Sequence, residues 1–225
     1  VTDQRTRNLI LVAGMVAMLV VGAAIGMMIS TFRTGGDEAA PSAESVDVGF
    51  AQDMRMHHLQ AVTMAGIERD RTDDPMLRGI AFDIESTQLS QASEMAGWLT
   101  VWVQPSLPAP GAGHMEWMSE GGTHSHSNGE GGKTTGAVQR MPGMASTDEL
   151  NRLRKASGAE LDVMFLQLML RHHQGGREMA EYAAQHASKG YVRNLASKIV
   201  QSQDSESNQM KTLLAQRGAK PLPAS

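Results

Sequence analysis

One helical signature is written twice in this chain, 115 residues apart, with two adjacent histidines at its centre each time. Asp47, Val48, Phe50, Met54, His57, His58, Met64 and Ala65 return as Asp162, Val163, Phe165, Met169, His172, His173, Met179 and Ala180, a D-V-x-F-x3-M-x2-H-H-x5-M-A pattern. The same offset carries Arg78, Ala81, Ile84, Gln88, Ser90, Met95 and Leu99 onto Arg193, Ala196, Ile199, Gln203, Ser205, Met210 and Leu214 without a gap. A match of this kind is what a duplicated helical hairpin leaves behind, and it restricts the fold to one in which two like units bury a shared core.

The absence of cysteine removes disulfides, thiolate metal sites and cysteine-linked lipids, so any soft metal ligand has to be methionine. Seventeen methionines stand against four phenylalanines and two tyrosines. Methionine also fills gaps between packed helices, so its abundance does not by itself decide between ligand and core. A formal net charge of -4, with Lys and Arg scattered among Asp and Glu, offers no basic stripe and excludes a nucleic-acid partner.

Residues 9–29 carry no charge and consist largely of Leu, Ile, Val, Ala, Gly and Met, a length that suits a helix crossing a bilayer. Arg5 and Arg7 precede this stretch and Asp37 and Glu38 follow Arg33, which places the N-terminus in the cytoplasm and everything after Thr31 outside the cell. A cleaved signal peptide is the competing reading, although its apolar part is usually shorter. Gly22 and Gly26 form a G-x3-G step on which two such helices could pack, a spacing that is also common in membrane helices for no special reason.

The expected organisation is a cytoplasmic tail over 1–8, a transmembrane anchor over 9–30, a flexible tether over 31–45, a first helical hairpin over 46–103, a Gly/Pro/His/Met-rich loop over 104–147, a second hairpin over 148–217 and a tail over 218–225. Asp74 before Pro75 predicts a helix start, and Ser146 with Glu149 and Ser157 with Glu160 predict capping boxes. Gly190 is expected to cap the third bundle helix, and Gly218 with Pro221 to end the fourth. No stretch alternates with period two for long enough to form a sheet. The fold class is all-α, a four-helix bundle of two hairpins.

On a helical wheel His57 falls in the middle of the apolar stripe with Phe50, Met54, Ala61 and Met64, while His58 falls at its edge; His172 and His173 repeat this arrangement. Gln88 and Gln203 are likewise aimed inward. Buried polar groups without partners cost about 1–3 kcal/mol each, so four imidazoles and two amides have to satisfy one another, hold a metal or reach water. Imidazole with thioether suits Cu(I), and imidazole alone suits Cu(II) or Zn; a His–Gln hydrogen-bonded layer would use the same positions. A di-iron carboxylate site, and with it a ferritin-like redox enzyme as a third reading, fits less well because no E-x-x-H turn occurs, and Asp53, within reach of His57, is replaced by Leu168 in the second copy.

The intervening loop adds His114, Met115, Met118, His124, His126, Met141 and Met144. These suit a mobile metal-gathering segment or an incidental spacer, since their spacing defines no coordination geometry. Trp98, Trp102 and Trp117 are expected to anchor this loop or to present a partner surface.

In its F-x3-M-x2-H-H-x5-M-A helices the chain resembles the domain of unknown function 305 family, over residues 46–100 and 157–215. The resemblance implies a ferritin-like bundle, an extracytoplasmic setting and a role in copper handling. The chain departs from the pattern where Gly175 and Gly176 replace Gln60 and Ala61, which predicts a looser third helix, and in its inter-repeat loop. The resulting expectation is a membrane-tethered copper-binding protein with His57, His58, His172, His173, Met54, Met64, Met169 and Met179 as ligands. It would sequester or transfer copper rather than catalyse a reaction, and its affinity would fall on acidification towards pH 5. The rival is a structural subunit of a membrane complex, or a homo-oligomer, in which the histidines form an internal layer.

Overall fold

The computed structural model describes residues 3–34, 39–109, 112–119 and 138–223. It divides into two units, residues 1–40 and 41–225. The first unit contains α1 (Gln4–Thr34). The described side chains from Gly14 to Met27 are all exposed and carry no charge on any side. Among the described residues no helix is long and apolar enough to cross a membrane.

The second unit contains α2 (Val46–Arg71), α3 (Pro75–Val101), a single 3-10 turn at Glu116–Met118, α4 (Thr147–Lys155), α5 (Gly158–His186) and α6 (Gly190–Gln216). No strand occurs among the described residues; a lone antiparallel bridge joins His114 to Val138. The helix starts follow from local chemistry. Ser45 accepts from the Val48 amide, Asp74 accepts from Met76 and Leu77 with Pro75 in the first turn, and Ser146 and Glu149 complete a reciprocal capping box. Each such cap contributes about 1 kcal/mol. Ser157 makes no side-chain cap, so the second expected capping box does not form, and the chain instead turns into α5 through Gly158 at φ +56°. Gly190 opens α6 rather than closing α5, which ends at His186.

The two hairpins, α2 with α3 and α5 with α6, join through α2 and α5. The aspartate that opens each motif clasps the other repeat. Asp47 accepts from the amides of Ser188 and Lys189 at 2.9 and 2.8 Å, in the turn before α6, and Asp162 accepts from the Thr72 hydroxyl at 2.9 Å, in the turn before α3. Both aspartates therefore cross from one repeat to the other, which explains their place in a signature otherwise made of core residues.

The core forms two clusters. One gathers Phe50, Met54, Met95, Leu99, Met179 and Ile199, and the other gathers Met64, Ile84, Phe165, Met169, Met210 and Leu214. Met54 of the first repeat thus shares a cluster with Met179 of the second, and Met64 with Met169. This exchange is what two like helices give when they cross antiparallel, with the histidines at the crossing.

The described parts of the inter-repeat loop are packed rather than free. Met115, Met118 and Met141 are buried in the first cluster. Asp53 holds this segment, accepting from His114 Nδ1 at 2.7 Å, the Met115 amide at 2.8 Å and the Trp117 indole at 2.8 Å. It serves the loop and not His57, which accounts for the absence of a counterpart carboxylate in the second repeat. Gly49 makes room for the indole, since any side chain there would collide with Trp117. The tryptophans split into two groups: Trp117 packs edge-on to Phe50 and Tyr182, while Trp98 and Trp102 surround Tyr191. His124 and His126 lie outside the described residues.

Candidate metal centre

His57 and His172, each central on its helix, meet where α2 and α5 cross, with ring centroids 3.7 Å apart and planes inclined by 32°. All four motif histidines are buried. Each spends one ring nitrogen in the same way. His57 Nε2–H donates to the Pro142 carbonyl at 3.2 Å, and His172 Nε2–H donates to the His57 carbonyl at 3.0 Å. His58 Nε2–H donates to the Gln91 amide oxygen at 2.7 Å, and His173 Nε2–H to the Glu206 carboxylate at 2.5 Å.

A neutral imidazole that donates from Nε2 has its lone pair on Nδ1. All four Nδ1 atoms are buried without a hydrogen-bond partner among the described residues. The amide nitrogen and oxygen of both Gln88 and Gln203 are in the same condition, with the glutamines inward as the sequence predicts. A closed His–Gln layer would pair these groups with each other, and it does not form. An imidazole oriented by a carbonyl or carboxylate on one nitrogen and open at the other is the usual posture of a metal-binding histidine.

Burial also fixes the charge state. Desolvation, with His58 nearby, lowers His57 to about 3, and desolvation lowers His58 to about 4 despite its bond to Gln91. His172 falls well below the ordinary histidine value, through desolvation and then through its proximity to His57. These rings resist protonation below the ordinary histidine value, which keeps them able to ligate.

The glycines that depart from the repeat pattern make this arrangement possible. A side chain at Gly175 would run into the Pro142 carbonyl, and one at Gly176 would lie 2.9 Å from His57 Cε1 and 3.4 Å from the Gln203 amide oxygen. Gly143, at φ +77°, lies against the Arg171 carbonyl and the backbone of His172 and Gly175. Residues 141–145 thus form a strap over the crossing. Gln60, opposite, holds it by donating to the Ala145 carbonyl at 3.0 Å and accepting from its amide at 2.6 Å. The helix expected to loosen at Gly175 and Gly176 is continuous.

The sequence reading singled out neither Gln91 and Glu206 nor Pro142. The first two stand at the same 115-residue offset, so extending the repeat comparison to polar positions that differ would have exposed them. Nothing in the sequence marks a carbonyl as a partner. Met54 with Met179 and Met64 with Met169 flank the histidines along both helices but belong to the two core clusters. Among the described residues no group of three or more His, Asp or Glu side chains is gathered to hold a metal ion.

The same fold occurs in solved structures. A DUF305 protein from Streptomyces coelicolor, inferred to be secreted, is 40% identical, with a TM-score of 0.68, over 81% of this chain and 98% of its own. A DUF305 fragment from Deinococcus radiodurans is 29% identical, with a TM-score of 0.58, over 76% of this chain and 96% of its own. CopM in its Cu(I)-bound form is 23% identical, with a TM-score of 0.55, over 76% and 96%, a likeness of fold alone. No curated protein matches the chain. Residues 47–214 match the family model described as Domain of unknown function (DUF305), and the chain belongs to that family.

Proposed function

We propose that this protein binds copper outside the cytoplasm, tethered to the membrane by α1, and that it sequesters or transfers the ion rather than turning over a substrate. The four unpartnered Nδ1 atoms carry this reading. Each buried acceptor left unsatisfied costs about 1–3 kcal/mol, and a soft cation would offset that cost at several of them together. His57 and His172, face to face, are the first ligands, with His58 and His173 beside them. Thioether from Met54 and Met179, or from Met64 and Met169, completes a soft donor set.

Cu(I) suits this centre better than Cu(II) or zinc. Thioether is within the set, and among the described residues no three imidazoles or carboxylates are gathered for a higher-coordinate ion. CopM, which has this fold, is known in Cu(I)-, Cu(II)- and silver-bound forms, and that gives the copper reading its precedent. The extracytoplasmic setting has similar support from the Streptomyces coelicolor relative. The anchor rests on the uncharged residues 9–29, of which the described part is apolar on every side. In this reading the two hairpins form a ferritin-like bundle, and any stable partner is a second copy or a membrane complex.

Purified protein should take up about one Cu(I) per bundle, as one inter-repeat site requires. The His57→Ala, His172→Ala double variant, checked for folding by its helical circular dichroism and thermal transition, should take up none. Wild-type uptake by the folded double variant would remove the core site.

A further inference from the structure

Where α3 ends, Val101 and Val103 stand 79% and 89% exposed, and Leu107 follows at 53%. Isolated exposed apolar residues are ordinary, but three observations set these apart. Val103 has φ +56°, in the left-handed region that β-branched residues avoid. The turn is nonetheless held, with the Gln104 amide donating to the Leu99 carbonyl at 2.8 Å and the Trp102 indole to the Tyr191 hydroxyl at 3.0 Å. Backbone strain kept in place by its surroundings is commonest where a side chain is being presented for use.

Trp98, half-buried, and Trp102, buried, lie near the same helix end and stack around the exposed Tyr191, with ring centroids 5.2–6.2 Å apart. Trp and Tyr are the residues that settle at the boundary between lipid and water. Finally, the Gln104 side-chain Nε2–H donates to the Pro41 carbonyl at 3.1 Å, so this tip is fastened to the residue at which the second unit begins. The polypeptide from Thr34 to Pro41, fully extended, spans at most about 25 Å.

We propose that Val101, Val103 and Leu107 form a lipid-contacting tip that enters the headgroup–acyl boundary of the bilayer anchoring α1, giving the domain a second attachment to the membrane. The inference rests on the anchor in the proposed function and is independent of copper.

The chain has no cysteine, so a nitroxide on Val103→Cys, or separately on Val101→Cys, in the full chain reports one position only. Lys211→Cys is the reference, exposed on α6 twenty residues beyond Tyr191 and so about 30 Å along the helix. With the protein in phosphatidylcholine vesicles at large lipid excess, both tip probes should collide more with oxygen and less with an aqueous nickel chelate than the Lys211 probe does. Tip probes as open to the chelate as the reference, on a chain that floats with the vesicles, would overturn the tip and leave the anchor standing. A chain that does not float would overturn both. Dipolar broadening between tip probes would place a second copy there in lipid's stead and overturn the proposal equally.

Discussion

The two repeats keep the same inward imidazoles and differ in what holds them. In the first, His57 is bonded to the strap at Pro142 and His58 to a neutral amide, Gln91; in the second, His172 is bonded to the His57 carbonyl and His173 to the carboxylate of Glu206. Gln60 grips the strap with its side chain, while its counterpart Gly175 yields space to it. Glu68 is buried in the first repeat beside Asp162, where the second has Ala183. The common part concerns which atoms face inward. The divergent part concerns how one strap, present once, is fitted between two helices that would otherwise be equivalent.

What the repeats share should produce the largest effect. The unfolded chain protonates its histidines as pH falls through 6.5, while His57, His58 and His172 resist protonation, so stability present above 6.5 is lost on acidification. Between pH 7 and 5 His57 and His58 should each withdraw about 2 kcal/mol, with His172 acting in the same direction. Urea unfolding of the metal-free protein at the two pH values measures this, and equal midpoints would contradict the neutral buried rings.

The strap comes next. Gly175→Ala should cost about 3 kcal/mol, because its methyl must displace the Pro142 carbonyl or the helix, whereas Gln60→Ala should cost about 2 kcal/mol for two lost hydrogen bonds. If Gln60→Ala proved the more damaging in thermal unfolding, the strap would depend on its grip and not on its fit.

Glu206→Gln should lower copper affinity about tenfold while leaving the fold intact, since a carboxylate partner raises the basicity of the imidazole it orients. Gln91→Glu should raise affinity by a similar mechanism. A competition titration with a Cu(I) chelator compares them, and unchanged affinity in both would make the difference between the repeats irrelevant to binding.

Glu68, present in the first repeat alone, responds to pH with the opposite sign. Burial, and then the charge of Asp162, raise its carboxyl to about 8, so the folded protein keeps a proton that the unfolded chain releases above 4.5. Its contribution to stability declines as pH rises between those values. Glu68→Gln should therefore stabilise the protein more at pH 8 than at pH 5, and a shift in melting temperature independent of pH would disprove the protonated carboxyl.

The duplicated pattern determined the helices, the hairpins, the inward direction of His57, His172, Gln88 and Gln203, and the membership of the family, because these depend on local periodicity and on residues repeated at one offset. Boundaries were legible where a side chain caps its own helix, as at Asp74 and Ser146, and misread at Gly190, where a glycine suits a helix start as well as an end. Tertiary structure alone decided that Met54 meets Met179, that Asp47 and Asp162 clasp opposite repeats, that Asp53 serves the loop, and that Pro142 orients His57. Each of these joins groups distant in the chain, three of them through backbone atoms whose identity no residue type records. Periodicity tells a side chain which way to face; only the packed chain determines what it finds there.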